Sequence, residues 1–336
     1  MKYLLCGLGS IGRRHLDNLI SLGEKDIIAY RRKNLLIDGV SIKIPIFTDI
    51  NEAIVQKPDV AFITNPSAFH MQLALKLARS GCHLFIEKPL SINLKGSEEL
   101  LEISREKKLA IFIGFMMRYH PAVRQIKEWI SHDLIGFPIS VRMSCGEYLP
   151  LWHPHEDYRK SYAGNAKLGG GPIFTLCHEI DILSWLFGQP VNLFALSSRK
   201  SSLEITTEHA VEILMQFKDK LVAEIHLDYL QNPAERKWSI IGNEGKIEFD
   251  YYSNILELHS YKNKEKIVTK ETIIYNDRFK RNDMFKLELK SFIDSIRMNK
   301  ETEISLQDGI DNLKILLSTH KSIKEKRLVK IEEIRP

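Results

Sequence analysis

Apolar residues follow two different patterns along this chain. Up to about residue 115, short and wholly apolar runs alternate with stretches whose apolar residues recur at helical spacing. The runs Tyr3–Cys6, Asp26–Tyr30, Val60–Thr64, His83–Ile86 and Ala110–Gly114 predict strands. The stretches Ile11–Leu22, Ile50–Gln56, Ala68–Ser80 and Leu94–Lys107 predict helices. Strands that are apolar throughout are covered on both faces, and strand–helix alternation implies a parallel, doubly wound α/β sheet. After Met117 the pattern changes. A helix over Ala122–Ser131 leads into strand candidates Ile139–Ser144, Leu193–Ser198, Glu208–Phe217, Leu221–Tyr229, Lys237–Ile241, Lys246–Asp250, Ile255–Tyr261 and Ile267–Tyr275. Apolar and polar residues alternate in them, as in Val211-Glu212-Ile213, and Lys218-Asp219-Lys220 and Gly242-Asn243-Glu244-Gly245 mark hairpins. This predicts an α+β domain with a large, mainly antiparallel open sheet. Helices Asp283–Met298 and Leu306–Ser322 close the chain.

Composition narrows the class. The 336 residues suffice for about two domains. A hydrophobic content of 44% and a charged content of 27% are those of a soluble globular protein. The net charge of +5 comes without any lysine- or arginine-rich block, so no nucleic-acid partner is expected. The apolar stretch Ala110–Met117 is too short to span a bilayer, and no signal peptide or membrane partner is expected. Cys6, Cys82, Cys145 and Cys177 are scattered, without C-x-x-C spacing. Reduced, buried thiols in a cytoplasmic protein are expected, with no metal site.

Candidate chemistry begins at residue 7. Gly7-Leu8-Gly9-Ser10-Ile11-Gly12 lies between the first strand and first helix. This G-x-G-x-x-G pattern is a dinucleotide phosphate cradle: Gly7 permits the turn, Gly9 lets the backbone approach the pyrophosphate, and Gly12 lets helix and strand pack closely. The pyrophosphate then meets free N–H groups and the dipole at the helix N-terminus. After the second strand stand Tyr30-Arg31-Arg32, where NAD-specific sites often carry an acid. Two guanidinium groups there suit a 2′-phosphate, so NADP is preferred over NAD; a basic surface loop is the other reading. Thr64-Asn65-Pro66 and Glu87-Lys88-Pro89 follow later strands, at the carboxyl edge where ligands bind, and His70 starts the next helix. His70 reads equally as a plain helix-start residue. Lys88 is placed to bond the nicotinamide ribose and the reacting oxygen.

In the second half, Gly169-Gly170-Gly171-Pro172 precede an apolar run ending at Gly188, with Pro172 suited to a helix's first turn. As one helix, Ile173, Leu176, Ile180, Leu183 and Phe187 form an apolar stripe, opposite Thr175, His178 and Asp181. So apolar a helix is buried, and its polar residues face partners or a cleft. A hydrogen-bonded core histidine is the alternative for His178.

Together these motifs resemble the Gfo/Idh/MocA oxidoreductases. The resemblance rests on Gly7–Gly12, Glu87-Lys88-Pro89, Arg118-Tyr119-His120-Pro121 and the Gly169–Gly188 segment. It implies a Rossmann domain, an α/β domain whose open sheet often forms the oligomer interface, and hydride transfer between NAD(P) and a sugar or cyclitol carbon. It maps the active-site lysine onto Lys88 and the histidine onto His178. Many members carry an aspartate three or four residues before that histidine. Here those positions hold Thr175 and Phe174, and Asp181 lies one turn on as a candidate substitute. Glu147–Pro154 and Asp157–Tyr162 resemble a subgroup encoded with bacterial surface-sugar and sialic-acid-like pathways. Tyr148, Trp152, His153, His155, Tyr158, Arg159 and Tyr162 suit a polar sugar, with Arg159 able to grip a carboxylate or phosphate. A structural loop is the alternative.

The reading has an NAD(P)-binding Rossmann domain over 1–118. A substrate-binding and oligomerisation domain spans 119–336, its last helix a candidate to pack back on the first. Expected catalytic residues are Lys88, His178 and Asp181. Gly7, Gly9, Ser10, Ile11, Gly12, Arg31, Arg32, Thr64, Asn65, Pro66, His70, Glu87, Lys88 and Arg118 are expected to hold NADP or NAD. A small, anionic sugar is expected on Lys88, Tyr148, Trp152, Arg159, Tyr162, Thr175 and His178, in a homodimer or homotetramer. Two rival functions share these motifs: an NAD-dependent glycoside hydrolase and a non-catalytic NADP(H) sensor.

Overall fold

The computed structural model describes residues 1–32, 44–153, 156–261, 269–274 and 279–335. These residues divide into two compact units. The first comprises Met1–Met116 and Asn282–Leu313, the second Met117–Arg281 and Lys314–Arg335. In chain order the first stretch contains β1 (Tyr3–Cys6), α1 (Ser10–Ser21), β2 (Ile27–Tyr30), β3 (Ile46–Phe47), α2 (Ile50–Val55) and β4 (Val60–Ile63). It continues with α3 (His70–Arg79), β5 (His83–Glu87), α4 (Ser97–Glu106) and β6 (Ile111–Gly114). Then come α5 (Pro121–Ser131), β7 (Pro138–Gly146), α6 (Pro172–Thr175), α7 (His178–Phe187), β8 (Asn192–Ser198), β9 (Ala210–Gln216) and β10 (Val222–Asp228). The chain ends with β11 (Glu235–Gly242), β12 (Gly245–Asp250), β13 (Ile255–Ser260), β14 (Thr269–Ile274), α8 (Arg281–Arg297), α9 (Leu306–Glu325) and β15 (Val329–Lys330). Among the described residues, no helix is long and apolar enough to cross a membrane. All four cysteines are buried free thiols.

The first unit is the expected parallel sheet, in the order β3-β2-β1-β4-β5-β6. The order reverses at β1 and β4, so the crevice beyond their carboxyl ends is the ligand-binding edge of such a sheet. β3 was not anticipated, because two residues leave no readable period. Its core is aromatic. Phe62, Phe85 and Phe112 occupy matching positions on β4, β5 and β6, and their rings stack at 5.1 and 5.2 Å. Phe292 of α8 packs against all three at 5.6–6.1 Å, which seats α8 on this sheet.

The second unit holds a nine-stranded sheet, β14-β13-β12-β11-β7-β10-β9-β8-β15. It is mostly antiparallel; β7 and β10 form its parallel pair. Along β9 and β10 buried and exposed residues alternate, so one face is packed and the other open. The expected strand Ile267–Tyr275 is described only over Thr269–Ile274; Ile267, Val268 and Tyr275 lie outside the described residues.

The helix expected through Ile173–Phe187 needs correcting. It is broken at Leu176 and Cys177 into α6 and α7. The hydroxyl of Thr175 donates to the carbonyl of Gly171 at 2.8 Å, four residues back, a bond that bends helices. A single 100° stripe therefore cannot be carried across the break. All of α6 is buried, as are His178 to Leu183 of α7.

His120 caps α5: its Nδ1 accepts from the N–H of Ala122 at 3.2 Å. The ring is buried against Phe249, Tyr251 and Phe279. Burial, and secondly the Arg236 guanidinium, pull its pKa down to about 4. The unfolded chain titrates near the ordinary value of about 6.5, so on acidification it binds the proton first. The stability tied to this site is present above about pH 6.5 and drains away towards about pH 4, roughly 3 kcal/mol in all. His120→Asn, which keeps a capping oxygen, should flatten this stretch of the stability–pH curve in denaturant melts. An unaltered acid limb would show that His120 does not carry it.

Candidate active site

The glycine turn is set by close backbone packing. Gly7 has φ +114°, a conformation other residues rarely adopt, and its N–H donates to the carbonyl of Tyr30 at 3.0 Å. A Cβ at Gly12 would stand 2.2 Å from the Gly7 carbonyl oxygen, so only glycine lets α1 start there. Thr64 closes the other side, its hydroxyl donating to the Gly7 carbonyl at 2.9 Å. Gly9 and Ser10 are exposed, and nothing stands within 4 Å of a Cβ placed on Gly9. No acidic side chain occupies the first turn of α1. An open backbone at a helix N-terminus without competing negative charge fits a dinucleotide pyrophosphate.

The neighbouring strand ends are tied to each other. His70, 1% exposed, lies with Nε2 2.6 Å from the Asn65 carbonyl and Nδ1 2.9 Å from the Pro89 carbonyl. Burial lowers its pKa, and a neutral imidazole donates to only one of the two. His70 thus braces the Thr64–Pro66 loop against the Glu87–Pro89 loop. Asn65 Oδ1 is buried without a hydrogen-bond partner among the described residues. Lys88 is half-buried directly after β5. Arg31 is half-buried, with its N–H on the Phe47 carbonyl at 2.9 Å. Arg32 is exposed, its guanidinium 5.7 Å from the Phe69 ring centre. This unit therefore gathers the glycine cradle, Thr64, Asn65, His70 and Lys88 at one sheet edge.

In the second unit, His178 is the first residue of α7 and is 5% exposed. Thr175, where relatives often have an acid, bonds to the hydroxyl of Tyr229 besides the Gly171 carbonyl. Tyr229 is fully buried, and its hydroxyl also donates to the Ala163 carbonyl at 3.3 Å. Asp181 gives its carboxylate to Arg118: Nε donates to Oδ2 at 3.0 Å and Nη2 to Oδ1 at 2.6 Å, both side chains buried. The sequence reading places Asp181 in catalysis and Arg118 at the cofactor; the fold brings the two onto each other.

The aromatic segment is partly a packed loop. Tyr148 and Trp152 are half-buried, and Trp152 meets Tyr229 edge-on at 5.3 Å. Tyr162 is exposed. Arg159 donates to Asp157 from Nε and Nη2 at 2.8 and 3.0 Å, and to Glu204 from Nη1 at 3.2 Å. Two carboxylates share this guanidinium, and Asp157 ties it to its own loop. His155 lies outside the described residues.

Sequence reasoning missed Tyr229, which reaches Thr175 across 54 residues, and the buried pair Arg236–Glu179, whose Nε and Oε1 are 2.8 Å apart. It also missed His15, which lies 2.7 Å from Glu87 across 72 residues. No local spacing signals such contacts.

Comparison with known proteins bears on the family and the fold. Residues 1–115 match the family described as "Oxidoreductase family, NAD-binding Rossmann fold", and residues 123–248 match "GFO/IDH/MocA C-terminal domain". The chain is 25% identical to myo-inositol 2-dehydrogenase of Thermotoga maritima, over 99% of both proteins. It is also 25% identical to inositol 2-dehydrogenase/D-chiro-inositol 3-dehydrogenase of Lacticaseibacillus casei, over 88% of this chain and 84% of that one. Its fold resembles levoglucosan dehydrogenase solved with NADH and levoglucosan, with a TM-score of 0.86, 17% identity, and 98% and 99% of the two chains covered. It likewise resembles the WlbA dehydrogenase of Bordetella pertussis solved with NADH and UDP-GlcNAcA, with a TM-score of 0.81, 17% identity and 98% of both chains covered. With an NAD-binding Rossmann unit ending its strands in Thr64-Asn65-Pro66 and Glu87-Lys88-Pro89, and a matching C-terminal unit around His178, this chain belongs to the Gfo/Idh/MocA oxidoreductase family.

Proposed function

We propose that this protein is an NADP-preferring dehydrogenase or reductase acting on a CH–OH carbon of a sugar or cyclitol, in cytoplasmic surface-polysaccharide or sialic-acid-like sugar metabolism. The observation that carries this reading is the open Gly7–Gly12 cradle after β1 with Lys88 after β5, two strands away at the same sheet edge. The names of the dehydrogenase relatives support a cyclitol or sugar as substrate. The surface-sugar context rests on the Glu147–Tyr162 segment. An acidic group on the substrate would take Arg159 in place of Asp157 or Glu204, and the proposal does not depend on one.

Gly7, Gly9, Ser10 and Gly12 would hold the pyrophosphate, and Arg31 and Arg32 the adenosine ribose phosphate. The bound nicotinamide supplies the hydride acceptor or donor. Lys88 carries up to three donors on one charge, and it would hold the substrate oxygen and offset its developing negative charge. His178 would take the hydroxyl proton in oxidation and return it in reduction. Thr175 and Tyr229, bonded to each other, would set the backbone of α6 just ahead of His178. Asp181 would act through Arg118 as a positioning residue.

The direct test is a screen of cyclitols, anhydrosugars and nucleotide sugars with NAD and NADP, following absorbance of the reduced nicotinamide. Lys88→Ala and His178→Ala should each lower turnover about a hundredfold or more, with unchanged thermal midpoints, as when a proton-transfer group is lost. Near-normal turnover in His178→Ala would remove that residue from the mechanism.

Cofactor choice is separable from turnover. Calorimetry should give tighter binding of NADPH than of NADH. Replacing Arg31 and Arg32 by alanine should erase about 1–3 kcal/mol of that preference, the worth of charged hydrogen bonds. Equal affinities in the wild type would sink the assignment.

We also propose a homodimer or homotetramer built on the open face of the nine-stranded sheet, where Leu196, Leu214, Val222 and Ile241 are exposed. Light scattering at micromolar concentration should report a multiple of the chain mass. A monomer there would refute it.

A further inference from the structure

Three ionisable side chains meet inside the first unit. His15 comes from α1, Glu87 is the last residue of β5, and Glu288 comes from α8. His15 and Glu288 are fully buried and Glu87 is 7% exposed. His15 Nε2 lies 2.7 Å from Glu87 Oε1. A carboxylate oxygen of Glu288 lies within 4.8 Å of the other two groups. The surroundings are apolar: the rings of Phe62, Phe85 and Phe285 lie 4.9–6.3 Å from the imidazole. Room for Glu87 comes from the next strand, where a Cβ at Gly114 would stand 3.3 Å from its carboxyl group.

We propose that His15, Glu87 and Glu288 form a proton-sharing cluster that positions Lys88, the residue directly after Glu87. This rests on the role proposed above for Lys88. The first argument is charge. Two carboxylates and one imidazole in an aromatic pocket cannot all ionise without leaving a buried net charge, which is costly. Glu288 makes no hydrogen bond through either oxygen among the described residues. Burial, and then the Glu87 charge, push its pKa well above the ordinary carboxylate range. Burial thus favours the protonated form of Glu288, while Glu87 is the carboxyl group in direct contact with His15.

The second argument is distance. His and carboxylate atoms bound to one tetrahedral metal ion stand roughly 3.3 Å apart. The 2.7 Å contact between His15 and Glu87 is that of a direct hydrogen bond, too short for two ligands of one ion. The third is connectivity. α1, which opens at the glycine cradle, is bonded through His15 to the strand end that presents Lys88. α8 closes the pocket behind it. Among the described residues, His15 from α1 and Glu87 from β5 are the titratable groups clustered with Glu288, and Gly114 of β6 lies against Glu87.

The test needs no substrate. Infrared spectra at neutral pH should show the C=O stretch of a protonated carboxyl group, absent from Glu288→Gln, and Glu288→Gln should keep the wild-type thermal midpoint. Lysine acetylation, followed by mass spectrometry, reads the position of Lys88. His15→Gln and Glu87→Gln should each change the acetylation rate of Lys88 by about threefold or more, the effect of half a unit in a lysine's pKa. The rate of exposed Lys95 should stay constant in both. If one of these two variants fails to fold, the other gives the reading. A carboxyl band that survives in Glu288→Gln, unchanged Lys88 rates, or one equivalent of tightly bound metal in the purified protein would each overturn the cluster. Should Lys88→Ala retain turnover while these readings hold, the role of Lys88 in the reaction fails and the cluster stands.

Discussion

A side chain at position 12 would collide with the carbonyl of Gly7 at 2.2 Å, and the first unit is arranged around that close approach. Because α1 comes so near, Thr64 at the end of β4 can bond the Gly7 carbonyl, which draws the strand-end loops together. The same approach carries His15, one turn along α1, to within 2.7 Å of Glu87 on β5. His70 then ties the loop after β4 to the loop after β5. The cradle, the Asn65 loop and the Lys88 loop are therefore braced by one set of contacts. A cofactor edge of this kind works by being held in place before the ligand arrives.

The second unit pairs several of its buried polar groups. Arg118 bonds Asp181, Arg236 lies against Glu179, and Thr175 bonds Tyr229. The two ion pairs among them add little net stability over well-packed apolar side chains, yet removing one partner leaves a buried charge and costs about 3–5 kcal/mol. Their effect here is to hold α6 and α7 in one register. Two of them carry their acids on α7, at Glu179 and Asp181, on either side of Ile180. His178 leads the same helix, so the pairs that fix α7 also fix the histidine.

The departure from the family pattern at Thr175 has a structural counterpart. A carboxylate at this position would have met a fully buried tyrosine hydroxyl and the Gly171 carbonyl. A hydroxyl can donate to one and bond the other, which a charged oxygen cannot do for a carbonyl. The threonine and Tyr229 are thus matched to each other. The same threonine bends the helix, which is why α6 stops three residues before His178.

The sequence by itself determined the architecture. Wholly apolar strands at regular spacing with helices between them admit a doubly wound sheet, and alternating strands with hairpin turns admit an open one; both are local periodicities that neighbouring residues carry. The Gly7–Gly12 cradle and the loops ending in Pro66 and Pro89 were legible for the same reason, since turn chemistry acts over a few residues. What only the tertiary structure decided are the partners of the buried charges. Asp181 reads as an acid beside a histidine until Arg118 arrives across 63 residues. Charge is written in the sequence, but its neutralisation depends on which elements pack together. In a low-dielectric interior that neighbour decides whether a group is free for chemistry or spent on structure.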